Sequence, residues 1–168
     1  MYAIKIVSGG QTGIDRAGSD AALEAGIPCG GWCPKGRRSE DGTIPEQYPL
    51  TETTVKNYQK RTEMNVTDSD ATLIISEGKP TGGTALTIKL AQKYDKPYMV
   101  IDLLAVTDAA SVKDWITSNA VHVLNVAGSR ESKCIGAWSC FADDGHQDIN
   151  RKAEKSRGQV ARRHRRSI

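Results

Sequence analysis

The chain has 168 residues, enough for one domain with a real core, and 38% of them are hydrophobic. Its net charge of +3 hides an asymmetry: eight of the 23 Lys and Arg, but one of the 20 Asp and Glu, lie in residues 151–168. The body before that tail is mildly acidic, which excludes a general nucleic-acid surface there, and no apolar run approaches the ~18 residues of a membrane span.

Ala3–Val7 reads as a buried central strand. It runs into Ser8-Gly9-Gly10-Gln11-Thr12-Gly13, and a helix over Ile14–Ala25 follows, with Ile14, Ala17, Ala21 and Ala25 on one small apolar face. Strand, glycine turn and helix aim backbone N–H groups and a positive dipole end at an anion. The match to the dinucleotide fingerprint is partial: Ser8 holds the first glycine position, and Gly10 and Gly13 fall in place. A plain tight turn is the alternative reading.

A short strand is predicted near Cys29–Trp32, and a polar loop follows it. That loop carries Lys35, Gly36, Arg37 and Arg38 where a dinucleotide fold would place an acidic residue for a ribose. Cations at a strand's C-terminal end suit an oxyanion, although a solvated loop would look the same. Pro45 and Pro49 exclude a long helix over 44–50, and a helix is predicted over Thr53–Val66 with Arg61 and Asn65 on one face.

Ala71–Ser76 is a strong strand, and it leads to a second glycine loop, Thr81-Gly82-Gly83-Thr84, before a helix over Ala85–Tyr94. One such loop is a weak signal. Two of them at one end of neighbouring strands favour a convergent anion site. Tyr98–Leu103 is a further strand, Ser111–Asn119 a short helix, and Val121–Val126 the last strand. That strand ends in a third loop of small and polar residues carrying Gly128, Arg130 and Glu131. His122 reads as an ordinary strand residue with no nucleophile nearby to activate.

Cys29, Cys33, Cys134 and Cys140 fit no metal spacing, so no metal site is expected. Reduced thiols and the absence of a signal peptide suit a cytoplasmic protein. After Ser132 the periodicity is lost, and residues 133–168 are expected to form a divergent C-terminal segment ending in a disordered basic tail. A basic tail of this kind is usually solvated, and it is the one segment through which nucleic acid could be a partner. Alternating strands and helices make residues 1–132 an α/β domain with a mostly parallel sheet and the loops gathered at a switch point.

Five strings carry a resemblance: S-G-G-Q-T-G-x-D-R-A, G-G-W-C-P-K-G-R-R-x-E-D-G, R-T-E-x-N-V-x-D-S-D, T-G-G-T and L-N-V-A-G-x-R-E-S. Over about residues 3–132 the chain resembles the family named "putative molybdenum carrier" proteins. That family belongs to a wider Rossmann-like nucleotide-sensing superfamily that includes the LOG (lysine decarboxylase-like) phosphoribohydrolases. The resemblance implies a Rossmann-like three-layer sandwich and, as cargo, the molybdenum cofactor (molybdopterin) or another nucleotide-like or phosphate-bearing ligand. It further implies a site lined by Gly9 to Gly13, Lys35 to Arg38, Arg61, Asn65, Thr81 to Thr84 and Gly128 to Glu131. The family ends in an apolar helix that residues after Ser132 do not supply, so an exposed sheet face and a homo-oligomer are expected.

The rival readings are a nucleotide sensor and a phosphoribohydrolase-like N-glycosidase. Against the second, the LOG motif G-G-x-G-T-x-x-E, with its G-T on Gly83-Thr84, places Thr87 where the catalytic glutamate belongs. Threonine cannot supply that carboxylate, so no catalytic residue is assigned.

Overall fold

The computed structural model describes residues 4–105 and 108–133, all within one compact unit spanning 1–134. The expectations for Ala3, for Cys134 and Cys140, and for the rest of the C-terminal segment and its basic tail lie outside the described residues.

The elements are β1 (Lys5–Val7), α1 (Ile14–Glu24), β2 (Cys29–Gly30), β3 (Trp32–Cys33), β4 (Arg38–Ser39), β5 (Gly42–Thr43), β6 (Thr51–Glu52) and α2 (Tyr58–Thr67). They continue with β7 (Ala71–Ser76), α3 (Gly82–Lys93), β8 (Tyr98–Asp102), α4 (Ala109–Ser118), β9 (Val123–Gly128) and a 3-10 turn at Glu131–Lys133. Five strands form the central sheet in the order β2-β1-β9-β7-β8. Every pairing in it is parallel.

The order explains where a ligand can sit. The connection through α1 carries the chain outward from β1 to β2, whereas α3 carries it the opposite way, from β7 to β8. Right-handed crossovers in opposite directions put α1 and α3 on opposite faces, which gives three layers. β9 lies between the two departures, so the loops leaving β1, β9 and β7 emerge side by side.

Packing follows from the residue types. β7 lies inside the sheet between β9 and β8, with Ala71, Thr72 and Ile74 fully buried. Val66 of α2 meets Leu90 and Ala91 of α3, with Leu86, Tyr94 and Tyr98 around them. Gly18 of α1 lets that helix approach β9, since a Cβ there would lie 2.7 Å from Val126 Cγ1. No helix among the described residues is long and apolar enough to cross a membrane.

Several boundaries differ from the sequence reading for identifiable reasons. The strand expected near Cys29–Trp32 is broken at Gly31, whose φ is +123° and whose Cβ would meet Ser8 O at 2.2 Å. The chain turns there, and Trp32–Cys33 pairs with Thr51–Glu52 in a small sheet of its own. The helix expected from Thr53 begins only at Tyr58, because Thr53 N–H bonds to Cys33 O and the Asn57 side chain caps Gln59 N–H at 2.7 Å. Gly82 and Gly83 are the first turn of α3 rather than a turn before it. The last strand starts at Val123, leaving His122 outside it with its N–H donated to Asp70 at 2.9 Å.

Candidate ligand-binding site

Side chains of the glycine loop after β1 take up its backbone donors: Gly10 N–H donates to Ser8 Oγ at 3.3 Å and Thr12 N–H to Gln11 Oε1 at 3.1 Å. Gly13 caps α1 at φ +77°, and a Cβ there would strike Ser129 O at 2.5 Å and Glu131 N at 2.7 Å. The third loop is therefore folded onto this helix start, where Ile14 N–H donates to Ser129 O. Asp15 then supplies the anion that a helix N-terminus attracts. Its Oδ2 accepts the Gln11 N–H at 3.4 Å and Arg61 Nη1 at 3.1 Å. Burial pushes the Asp15 carboxyl above its ordinary range, against the pull of the Arg61 guanidinium.

The loop after β7 is the opposite case. Thr81 precedes α3 in an extended conformation and makes no side-chain cap. The first N–H groups of a helix have no partner within it, and here they belong to Gly82 and Gly83. Open space surrounds Gly83, and the nearest atom to a Cβ built on Gly82 would be Lys133 Nζ at 3.5 Å.

A cavity of about 430 Å³ lies between these loops. Gln11 and Asp15 line it from the first loop and α1, Thr81, Gly82, Gly83 and Thr84 from the second, and Ala127, Gly128, Arg130 and Lys133 from the end of β9 and beyond. Helix α2 contributes Tyr58, Gln59, Arg61 and Thr62, and α3 adds Leu86 and Thr87. The Arg130 guanidinium lies over the Tyr58 ring, 5.5 Å from its centre. The Thr87 hydroxyl donates to Gly83 O at 3.0 Å. The cavity falls in the size range of small-molecule sites and combines three cations, one buried carboxylate and an open helix N-terminus.

Residues 6–140 match the family described as "Circularly permutated YpsA SLOG family". The chain belongs to that family. A crystal structure of a "Putative molybdenum carrier protein" from Syntrophus aciditrophicus SB is similar at 52% identity with a TM-score of 0.76, over 79% of this chain and 86% of that one. (E)-4-Hydroxy-3-methyl-but-2-enyl diphosphate reductase matches at 10% identity and a TM-score of 0.33, over 76% of this chain and 53% of that one, a likeness that carries no argument. No curated protein matches the chain.

Within this member of the permuted family, the residues expected at the site divide. Gln11, Arg61, Thr81, Gly82, Gly83, Thr84, Gly128 and Arg130 line the cavity. Gly9, Gly10, Thr12 and Gly13 shape its first loop without lining it; a Cβ at Gly9 would sit 1.6 Å from Arg61 Nη1. The cationic loop is elsewhere. Lys35, Gly36 and Arg38 are exposed, and the Arg37 guanidinium donates to the carbonyls of Ile44, Pro45, Tyr48 and Leu50 at 2.8–3.3 Å. Arg37 ties its own loop together, spending four of its five N–H donors on those carbonyls.

Asn65 is a backbone clip. Its amide accepts from Trp32 N–H at 2.8 Å and donates to Trp32 O at 2.9 Å. Glu131 is exposed in the 3-10 turn, and its backbone N–H donates to Thr12 Oγ1 at 3.4 Å. The sequence reading did not place Tyr58, Gln59, Thr62 or Lys133 at the site. Tyr58, Arg61 and Thr62 recur at helical spacing, and this signal in α2 could have located its wall.

One more device fixes the first loop. Glu40, at the tip of the β4–β5 hairpin, accepts from the Thr12 hydroxyl and from Ser132 N–H and Oγ–H, while its own N–H donates to Gln11 Oε1 at 2.9 Å. Partial burial pushes the Glu40 carboxyl up, but these hydroxyl and N–H donors outweigh it and hold it below its usual value. Arg16 anchors the same hairpin through Asp41, at 2.5 and 2.8 Å.

Proposed function

We propose that this protein binds and carries a small phosphate-bearing heterocycle of the molybdopterin type. The observation that carries the reading is the uncapped N-terminus of α3, where Gly82 and Gly83 line a cavity also lined by Arg130 and Lys133. A phosphate there would meet helix donors and two cations, the combination that anion sites use. The relative named as a molybdenum carrier supports the choice of cargo. The lining suits a phosphorylated pterin: Gln11, Thr81 and Thr84 are polar, Tyr58 brings an aromatic ring with the Arg130 guanidinium over it, and space is open at Gly83. The metal would travel with the cofactor, and the protein's residues need only bind and shield it.

The test is titration calorimetry with phosphorylated pterins and nucleoside monophosphates, paired with molybdenum and phosphorus analysis of protein purified from its native host. Replacing Arg130 and Lys133 together by Ala should weaken the phosphate-bearing ligand by about 2–4 kcal/mol, allowing for overlap between the two charges. Affinity unchanged in that double variant, or no phosphorylated ligand bound at all, would refute the reading.

A second reading draws on Asp15, a carboxyl lining the cavity with its proton affinity raised by burial. That property suits a general acid in nucleotide glycosidic cleavage. Release of free base from nucleoside monophosphates, abolished by Asp15→Asn, would replace the carrier with an enzyme.

A further inference from the structure

Two arginines line the cavity, and they are held in different ways. Arg61 is paired with the Asp15 carboxylate 3.1 Å away. Arg130 has no such partner: among the described residues no acceptor takes a hydrogen bond from its guanidinium, which lies over the Tyr58 ring, 5.5 Å from the centre. That distance is within the reach of a cation–π contact. The backbone around Arg130 is fixed on both sides. Ser129 O accepts from Ile14 N–H at 3.2 Å, Arg130 O accepts from Lys133 N–H at 3.0 Å, and Glu131 N–H donates to Thr12 Oγ1 at 3.4 Å. Tyr58 is rooted as well, as the first residue of a helix that Asn57 caps. Both Tyr58 and Arg130 are only half-buried, so the pair forms an accessible part of the cavity wall.

We infer that Tyr58 is a positioning residue, holding the Arg130 guanidinium by its face so that its N–H fork takes two oxygens of a ligand's phosphate. The five N–H donors of a guanidinium lie in its plane and point outward, so a ring over one face blocks none of them. Phosphate offers the paired oxygens that such a fork grips bidentately. A side chain oriented before the ligand arrives loses less freedom on binding, and that saving is what Tyr58 contributes. The inference rests on the cavity as a site for a phosphate-bearing ligand. It ties the effect of Tyr58 to the phosphate and routes it through Arg130. Lys133, a compact point charge on a flexible stem, needs no orienting ring and cannot reproduce the two-point grip.

The experiment measures binding of neopterin monophosphate and unphosphorylated neopterin to the full chain, by the fluorescence of the pterin itself. The wild-type protein is expected to bind the phosphate ester about tenfold or more tightly than neopterin. Tyr58→Leu should cut that ratio about three- to tenfold and leave the affinity for neopterin unchanged, whereas Tyr58→Phe, which keeps the ring, should preserve it. Arg130→Lys keeps the charge without the fork and should lower the ratio as Tyr58→Leu does. In an Arg130→Ala background, Tyr58→Leu should have no further effect. Equal losses for both ligands in Tyr58→Leu, a ratio that it leaves intact, or a further loss in the Arg130→Ala background would each overturn the inference while leaving the phosphate site standing. If Tyr58→Leu does not fold, Arg130→Lys decides, and an undiminished ratio there would overturn it. A wild-type ratio of one, or failure of the ester to bind, would overturn both this inference and the site it rests on.

Discussion

Removing the Arg61 guanidinium should expose what holds the first loop and α2 together. Arg61→Met keeps much of the aliphatic stem and leaves Asp15, with its side chain 5% exposed, without the cation 3.1 Å away. An uncompensated buried charge costs about 3–5 kcal/mol, a large share of a small domain's total stability. The loss depends on pH, and its sign can be worked out. Asp15 is already raised above its ordinary value of 3.8 in the folded protein, and losing Arg61 removes the main influence lowering it. A carboxyl raised on folding contributes stability that is full below the ordinary value and is lost as pH rises through the folded value. The variant should therefore lose more of its stability than the wild type as pH rises, with a slope reaching at most about 1.4 kcal/mol per unit. Urea unfolding at pH 5 and pH 8 measures this, and the double variant Asp15→Asn/Arg61→Met, with no buried charge to strand, should recover about half the loss or more. A loss independent of pH, or no recovery in the double variant, would refute the argument.

Three further outcomes are expected. Gly9→Ala should reproduce the Arg61→Met phenotype, because its Cβ would lie 1.6 Å from Nη1 and 2.1 Å from Cζ and must displace the guanidinium; wild-type stability with the Asp15 pair intact by crystallography would contradict this. Arg37→Ala should cost about 2–4 kcal/mol in urea unfolding by stripping four carbonyls of a shared donor, while ligand affinity of the folded protein stays the same; an affinity loss with normal stability would return Arg37 to the site. The Arg16 hydrogen bond and that of Ser39 hold the Asp41 carboxyl at about 2, below the ordinary 3.8, so its stabilisation is present above that value and lost as pH falls towards 2. Asp41 is half exposed, which limits the effect to under about 1 kcal/mol, and the melting-temperature gap between wild type and Asp41→Asn should close in acid.

Much of the sheet was legible because its signals are local. β7 is rich in apolar and β-branched residues, β1 and β9 abut glycine-bearing loops, and the alternation with helices implied parallel strands. What escaped the sequence reading depends on contacts across long separations. Nothing near Gly31 announces that Ser8 O will lie where its Cβ would be, yet that contact ends the strand. In the run Lys35–Arg38 the charge was visible and the partners of Arg37 were not. Arg37 spends its donors on carbonyls up to 13 residues away, and no local pattern records this.

The two glycine loops were indistinguishable as patterns, since each is a strand, a glycine turn and a helix. What separates them is the residue at the second helical position. In α1 it is Asp15, a fixed carboxylate that occupies the dipole end and recruits Arg61. In α3 it is Gly83, which leaves the same kind of helix end open, with a lysine and an arginine also on the cavity wall. The first loop therefore carries its own anion, whereas the second presents a helix start with no acidic residue in its first turn. The Asp15–Arg61 pair is the scaffold that holds the first loop and α2 in place around the cavity. In the proposed reading, capture of a phosphate belongs to the second loop, whose helix start has no side-chain cap and no acidic residue in its first turn.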